Sequence, residues 1–360
     1  MFTTSKKPAS IVGLDIESGS IAATEVRTNG SAKVERTAIV PLEPGVVSEG
    51  EVRDGEALAD ALKRLFAQKK LGKTVRLGVA NQRVVVRTLR LPLIEDEDEL
   101  DTAVRFQAAD QIPMPLEQAV LDHQVVAREH AGEGEHHMDV IAVAARRDMV
   151  TALARALNDA GLRSAGIDLS AFGMIRALRS SNGGQAGSDD EAAPQPSATL
   201  YCYLGDVSNL AVARGGICLF TRIAPFGVET IAERVAERQQ MPLEDAREWM
   251  AEVGLEEPLD SFEGDHYEEA KVARELLTEG SSKLVDELRV SMEFYGAQEG
   301  ASPIEHVVVC GPGSTIPGLP ERIEEGLGLG IEAQTPTALS HLDEEDAARL
   351  TISYGLALEA

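Results

Sequence analysis

The chain is poor in the residues that most often announce a ligand or a compartment. Of its 360 residues three are cysteines, 4% are aromatic and one, Trp249, is tryptophan. Cys202, Cys218 and Cys310 are widely spaced, each in or beside an apolar, strand-like run. They read as buried reduced thiols, which excludes a disulfide framework and a thiolate metal site. So few aromatics leave little with which to stack bases or sugars. Long apolar runs are missing too. The longest, at 140–145 and 307–310, are far too short to cross a bilayer, and no apolar stretch follows Lys6 and Lys7. The expectation is a cytoplasmic protein without direct membrane insertion, meeting a membrane only through a partner.

Positive charge is also scarce. Against 34 basic residues stand 60 acidic ones, a formal charge of −26. Such a surface repels phosphate backbones and anionic headgroups, so no nucleic-acid partner is expected. It suits basic peptides, although acidity of this kind also serves solubility alone.

At this length two or three domains are expected. Residues 11–16 read as a strand ending near Asp15, and Glu17, Ser18, Gly19 and Ser20 form a tight turn. A second strand follows at 21–27, then the Asn29-Gly30 hairpin signal and a third strand at 32–40. Asp54 is placed to cap a helix over 55–69 with Leu58, Leu62 and Leu65 on one face. Residues 75–80 are a further strand. From about Arg83 a second unit starts: a strand at 84–89, an acidic-headed helix over 95–111 ended by Ile112-Pro113-Met114-Pro115, strands at 121–129 and 138–145, and a helix over 147–160. This is an α+β insert, 83–167. Composition then changes to SSNGGQAGSDDEAAPQPS at 180–197, read as a flexible linker over 181–197.

After it the opening pattern returns. A strand at 199–204, the turn Gly205-Asp206-Val207-Ser208, a strand at 210–214, the Gly215-Gly216 hairpin and a strand at 217–225 lead into a helix. Strand, turn, strand, turn, strand, helix thus occurs twice, about 190 residues apart, which implies an internal duplication. The expected division is 1–82 plus 168–180 for the first half, 198–227 plus 302–360 for the second, and a helical subdomain at 228–301.

Two facing hairpin turns and a late strand ending in a glycine turn, GPGSTIPGL at 311–319, are the plan of the actin-like ATPase fold: an α/β fold of duplicated ribonuclease-H-like halves. Its turns hold phosphates with backbone N–H groups. On that plan Asp15, Ser18, Gly19, Ser20, Gly205, Asp206, Ser208, Gly311, Gly313 and Ser314 are the candidate ATP-binding residues, with Asp15 the candidate for Mg. The same late glycines also suit an ordinary strand-to-helix turn. His136-His137, beside Glu133 and Glu135, read as a solvated loop tip rather than a metal site. Ser18, Ser20 and Ser208 lack a His–Asp partner at recognisable spacing, so no catalytic residue is expected.

Within this fold the sequence resembles the pilus-assembly PilM family and, more distantly, the FtsA division family. The resemblance rests on VGLDIESGSIAATEV at 12–26, FQAADQIPMPLEQAVLDHQVV at 106–126, LFTRIAPFG at 219–227, VVVCGPGSTIPGL at 307–319 and YGLALEA at 354–360. The 106–126 stretch looks like the FtsA/PilM type of insert. The resemblance implies a scaffold of the type IV pilus machine. Such a scaffold binds the amino-terminal tail of a PilN-like inner-membrane protein and couples it to motor ATPases, with self-association as a further expectation. The groove for that tail is expected near Phe106, Gln107, Ile112 and Met114. Relatives carry glycine and lysine where this chain has Glu17 and Ala22, and an aspartate where it has Tyr203. A carboxylate beside polyphosphate is unfavourable by about 4 kcal/mol at 4 Å and an effective dielectric of 20. ATP binding with weak or no hydrolysis is therefore expected. Competing expectations are an FtsA-like division protein, disfavoured because the sequence stops just after the last helix of the fold, and an active ATPase or sugar kinase. Relatives of the GspL kind continue into a transmembrane helix.

Overall fold

The computed structural model describes residues 10–27, 32–130, 136–179, 197–256, 258–298 and 300–358. The chain opens on an antiparallel meander of β1 (Ser10–Ile16), β2 (Ser20–Arg27) and β3 (Lys33–Pro41). Two short strands, β4 (Val47–Ser48) and β5 (Glu51–Val52), precede α1 (Gly55–Lys69). This helix begins where the Asp54 carboxylate accepts the Ala57 N–H at 2.9 Å, satisfying one of the unpaired donors of the first turn. Its buried face carries Leu58, Leu62 and Leu65. β6 (Thr74–Val79) then runs parallel to β1.

The chain next leaves the first half for β7 (Val85–Pro92), α2 (Glu97–Gln111), β8 (Ala119–His130) and β9 (His136–Arg146). These make a three-stranded sheet, β7-β9-β8, with Leu100, Val104 and Ala108 of α2 packed against it. The insert was expected to run to residue 167, but its sheet ends with β9. α3 (Arg147–Asp159) buries Met149, Leu153, Ala156 and Leu157 in the core of the first half, and β10 (Arg163–Leu169) pairs in parallel with β6. An amphipathic pattern tells that a helix has an apolar face, not which sheet receives it. α4 (Ser170–Arg179) closes this half.

The second half repeats the plan. β11 (Ala198–Leu204), β12 (Ser208–Arg214) and β13 (Ile217–Ala224) form an antiparallel meander. Gly215 and Gly216 turn between β12 and β13 with φ of 59° and 87°, a pair of left-handed values that glycine adopts without strain. Three helices follow, α5 (Val228–Gln239), α6 (Leu243–Val253) and α7 (Asp265–Gly296). β14 (Ile304–Cys310) returns parallel to β11, and α8 (Leu319–Leu327), β15 (Ile331–Ala333), α9 (Glu344–Arg349) and α10 (Thr351–Ala357) complete the chain. The strand orders are β3-β2-β1-β6-β10 and β13-β12-β11-β14-β15. Two hydrogen-bonded sheets of one topology are the structural form of the duplication.

α10 carries the end of the chain back onto the first half, where it packs on β1 and α4. A Cβ on Gly355 would collide with the carbonyl of Gly173, and a Cβ on Gly13 with that of Ser353, so backbones touch at both crossings. Thr24 and Ser353 share a buried hydroxyl hydrogen bond of 2.7 Å, and Arg176 donates to the Gly355 carbonyl at 3.0 Å while pairing with Asp168 at 2.6 Å. The α4–α10 seam also meets the second sheet, with Met174, Leu178, Ile352 and Leu356 beside Tyr203, Val308 and Cys310. The three cysteines are free and buried, and burial pushes the Cys218 thiol up to about 12 and the other two up as well.

Ser197 apart, the expected linker 181–197 lies outside the described residues, as do the Asn29-Gly30 turn, Glu133 and Glu135. Among the described residues no cluster of His, Cys, Asp or Glu suits a metal ion, and no helix is long and apolar enough to cross a membrane.

Candidate functional site between the halves

The fold brings the two hairpin turns face to face. The turn after β1 is fixed by the Glu17 N–H donating to the Ser20 carbonyl at 2.9 Å, and the turn after β11 spans Gly205 to Val207. They are joined reciprocally. The Ser18 N–H donates to Asp206 Oδ2 at 2.9 Å, and the Asp206 N–H donates to Glu17 Oε1 at 3.2 Å. A Cβ on Gly205 would run into both the Glu17 carboxyl and the Tyr203 ring, so Glu17 fills the space over the glycine.

The electrostatics follow from this packing. Burial, then the charges of Asp15 and Asp206, push Glu17 up from 4.5 to about 8, with Arg349 acting in the opposite sense. Burial raises Asp15 to about 6, although the Ser170 hydroxyl donates to it at 3.0 Å and lowers it. Burial, with Glu17 and Asp15 adding, holds the Tyr203 phenol well above its usual range. A carboxyl with so many acidic neighbours takes up a proton readily.

Four further side chains complete the cleft. Arg247 of α6 and Glu229 of α5 stand over Gly19, and Arg349 and Glu345 of α9 line the same cavity. Arg247 is held by Glu229, through Nε at 2.9 Å and a second short bond, and by Glu244 at 2.5 Å. None of the four carries a local signal in the sequence, because their place depends on how distant helices dock over the first turn.

Of the expected nucleotide residues, Gly19, Ser20, Gly205 and Asp206 border the cavity, and Asp15 lies just behind it. The others are engaged in the fold. The Ser208 hydroxyl donates to the Phe226 carbonyl at 2.7 Å. A Cβ on Gly311 would come within 2.8 Å of the Tyr203 ring, and one on Gly313 within 2.5 Å of Leu204 Cβ. Ser314 donates through Oγ to the Gly311 carbonyl at 2.8 Å. Close packing on β11 requires glycine at both positions, 311 and 313. The cleft cavity measures about 40 Å³, room for about three waters, where small-molecule sites run to about 300 Å³ and more. In this arrangement the residues do not fit a magnesium–triphosphate, since Glu17 and Asp206 already occupy one N–H group of each turn, those of Asp206 and Ser18.

Residues 13–360 match the family described as type IV pilus assembly protein PilM. The chain belongs to the PilM family. Its fold is similar to that of a PilM–PilN type IV pilus biogenesis complex, at TM-score 0.78 and 24% identity over 96% of this chain and 97% of that one. It is also similar to MreB5 of Spiroplasma citri bound to ADP, at TM-score 0.55 and 12% identity over 97% and 95%. The ethanolamine utilization protein EutJ of Carboxydothermus hydrogenoformans matches at TM-score 0.52 and 14% identity over 98% and 90%. The actin-like fold is common to them.

The PilM-type insert does not present the expected groove residues together. Phe106 is 78% exposed on α2, Gln107 is half-buried, Ile112 is buried in the insert's own core and Met114 packs against that core. A larger cavity, about 240 Å³, opens instead where the insert meets both halves. Ala80 and Gln82 border it from the first half, Val84 from the root of β7, and Asn209, Thr221 and Ile223 from the second. Asn209 is 2% exposed, and among the described residues neither its Oδ1 nor its Nδ2 has a hydrogen-bond partner. Asn81, by contrast, is spent on the fold, donating to the Glu49 carbonyl at 2.7 Å and accepting the Arg83 N–H at 2.8 Å.

Proposed function

We propose that this chain is a docking scaffold of the type IV pilus machine, which receives the amino-terminal tail of a PilN-like membrane protein in the cavity at Asn209 and couples it to motor ATPases. The unpartnered amide of Asn209 carries this reading. A buried amide without partners costs about 1–3 kcal/mol, and a peptide main chain offers the complementary donor and acceptor. The apolar wall of Ala80, Val84 and Ile223 suits one side chain of such a segment. The charge of −26 favours a tail with the basic residues usual on the cytoplasmic side of a membrane. Membrane association then runs through the partner.

Titration of a synthetic tail peptide tests it. Asn209→Ala is expected to weaken binding about tenfold, the equivalent of about 1.4 kcal/mol. Unchanged affinity would remove the cavity from the site, and no binding by the unaltered protein would remove the scaffold's chief ligand.

Nucleotide belongs to the same reading in a reduced role. ATP binds weakly and is not turned over, because Tyr203 and Ala22 replace groups that would handle metal and phosphate. Ala22 is 6% exposed against Val26, Ala177 and Tyr354, a site with no room for a lysine side chain.

A further inference from the structure

The two turns that would cradle a polyphosphate hold each other instead. Both hydrogen bonds between them run from a backbone N–H of one turn to a side-chain carboxylate of the other, and together they join residues nearly 190 positions apart. A carboxylate oxygen and a phosphate oxygen make the same demand on an N–H group.

We propose that Glu17 and Asp206 form an autoinhibitory clasp, each taking the place of a phosphate oxygen on the opposite turn, so that the halves close without ligand and a polyphosphate enters only by displacing both. The clasp is intramolecular, so its effective concentration is high and it lowers apparent affinity by the fraction of molecules in which it is open. Glu17 is the decisive member, because its carboxyl also fills the space over Gly205. Asp15 of β1, Tyr203 of β11, Asp206 of the turn and Arg349 of α9 face it. Beyond them, Glu345 borders the cavity and the Arg247–Glu229 pair satisfies its own charges. Arg349, paired with Glu345 through Nε at 3.1 Å and a second bond of 2.9 Å, bears on Glu17 as a cation whose charge is already shared with a carboxylate.

The inference rests on the weak nucleotide binding proposed above. The experiment measures binding of MgATP and of inorganic pyrophosphate to the unaltered chain, to Glu17→Gly and to Glu17→Gln by calorimetry. Glycine removes the occupant, whereas glutamine keeps an acceptor on the Asp206 N–H and the bulk over Gly205 while removing the titratable carboxyl. Glu17→Gly is expected to bind both ligands at least tenfold tighter than the unaltered chain, and Glu17→Gln by less than threefold. Equal affinity of the unaltered and glycine chains would overturn the clasp and leave nucleotide binding intact. Glutamine as effective as glycine would also overturn it, since charge repulsion rather than occupancy would then be the obstacle. Absence of binding by all three would overturn the nucleotide reading and the clasp with it. Glu17→Ala removes the same carboxyl and takes the place of the glycine chain if that variant folds poorly.

Discussion

Replacing Glu17 by glutamine probes the cleft through stability as well as binding. The carboxyl is raised from 4.5 to about 8, chiefly by burial and further by Asp15 and Asp206. Between those two values the folded protein holds a proton that the unfolded chain has released. The folded state therefore binds more protons, and stability falls as pH rises through the window from about 4.5 to about 8. Each pH unit in the window costs about 1.4 kcal/mol, so neutral pH costs about 3 kcal/mol. Glu17 is half-buried and borders the cleft cavity, where water screens part of the penalty. That leaves about 2 kcal/mol. Glutamine is neutral at every pH and keeps an oxygen for the Asp206 N–H. The variant is expected to match the unaltered chain near pH 4.5 and to exceed it by about 2 kcal/mol at pH 7, a rise of about 3 °C in Tm. Urea and thermal unfolding of both proteins at pH 5 and 7.5 measure it. A variant less stable at pH 7.5, or a difference that does not change with pH, would refute the reasoning.

Three other outcomes are expected. Asn209→Leu should stabilise the free protein by about 1 kcal/mol, by removing a buried amide without partners, while weakening tail-peptide binding at least tenfold; denaturant titration and calorimetry read the two effects, and a loss of stability would mean that the amide is satisfied in solution. Gly355→Ala should cost about 2–3 kcal/mol in thermal unfolding, because its Cβ meets the Gly173 carbonyl and forces α4 and α10 apart. ATP turnover should stay at background in a phosphate-release assay with magnesium, and turnover on the order of 1 per second that Asp15→Ala abolishes would contradict the scaffold reading.

Local chemistry was legible in the sequence wherever one short segment decides it. The cap at Asp54, the start and stop of α1, the Gly215-Gly216 turn and the two repeated meanders all lie within a few residues of their signals. The end of the insert was not, because α3 and β10 follow β9 without a break in pattern and only their partners, α1 and β6, reveal where they belong. Groove and core residues are hard to tell apart in a sequence for a related reason. An apolar residue such as Ile112 looks the same whether it lines a groove or fills a core. The cleft was half visible. Glu17 and Tyr203 stood out as departures, but their contact with Asp206 and Arg349 joins segments far apart in the chain, and no spacing rule reports that.

The departures make sense as a set rather than one by one. A lysine at position 22 and an aspartate at 203 would be groups that need a ligand, and without one each would be a buried charge lacking a partner. Alanine and tyrosine at those positions are packed by the fold itself, at 6% and 2% exposure. Glu17 then supplies from the protein the acceptor that a phosphate would have brought. The small space beside Glu17 and Asp206 also touches Ala80 and Asn209, and those two residues border the larger cavity at the root of the insert. Closure of the halves and the shape of that cavity therefore share walls. A cleft held shut by its own side chains fixes the spacing of Ala80 and Asn209 whatever the nucleotide supply, which is what a docking site for a partner's tail requires. Opening the clasp should change that spacing, so tail peptide and polyphosphate are expected to oppose one another, each weakening the other's binding by the same factor. Titrating the peptide into the Glu17→Gly chain with and without saturating pyrophosphate reads that factor directly, and a ratio of one would show that the two spaces, though adjoining, are independent.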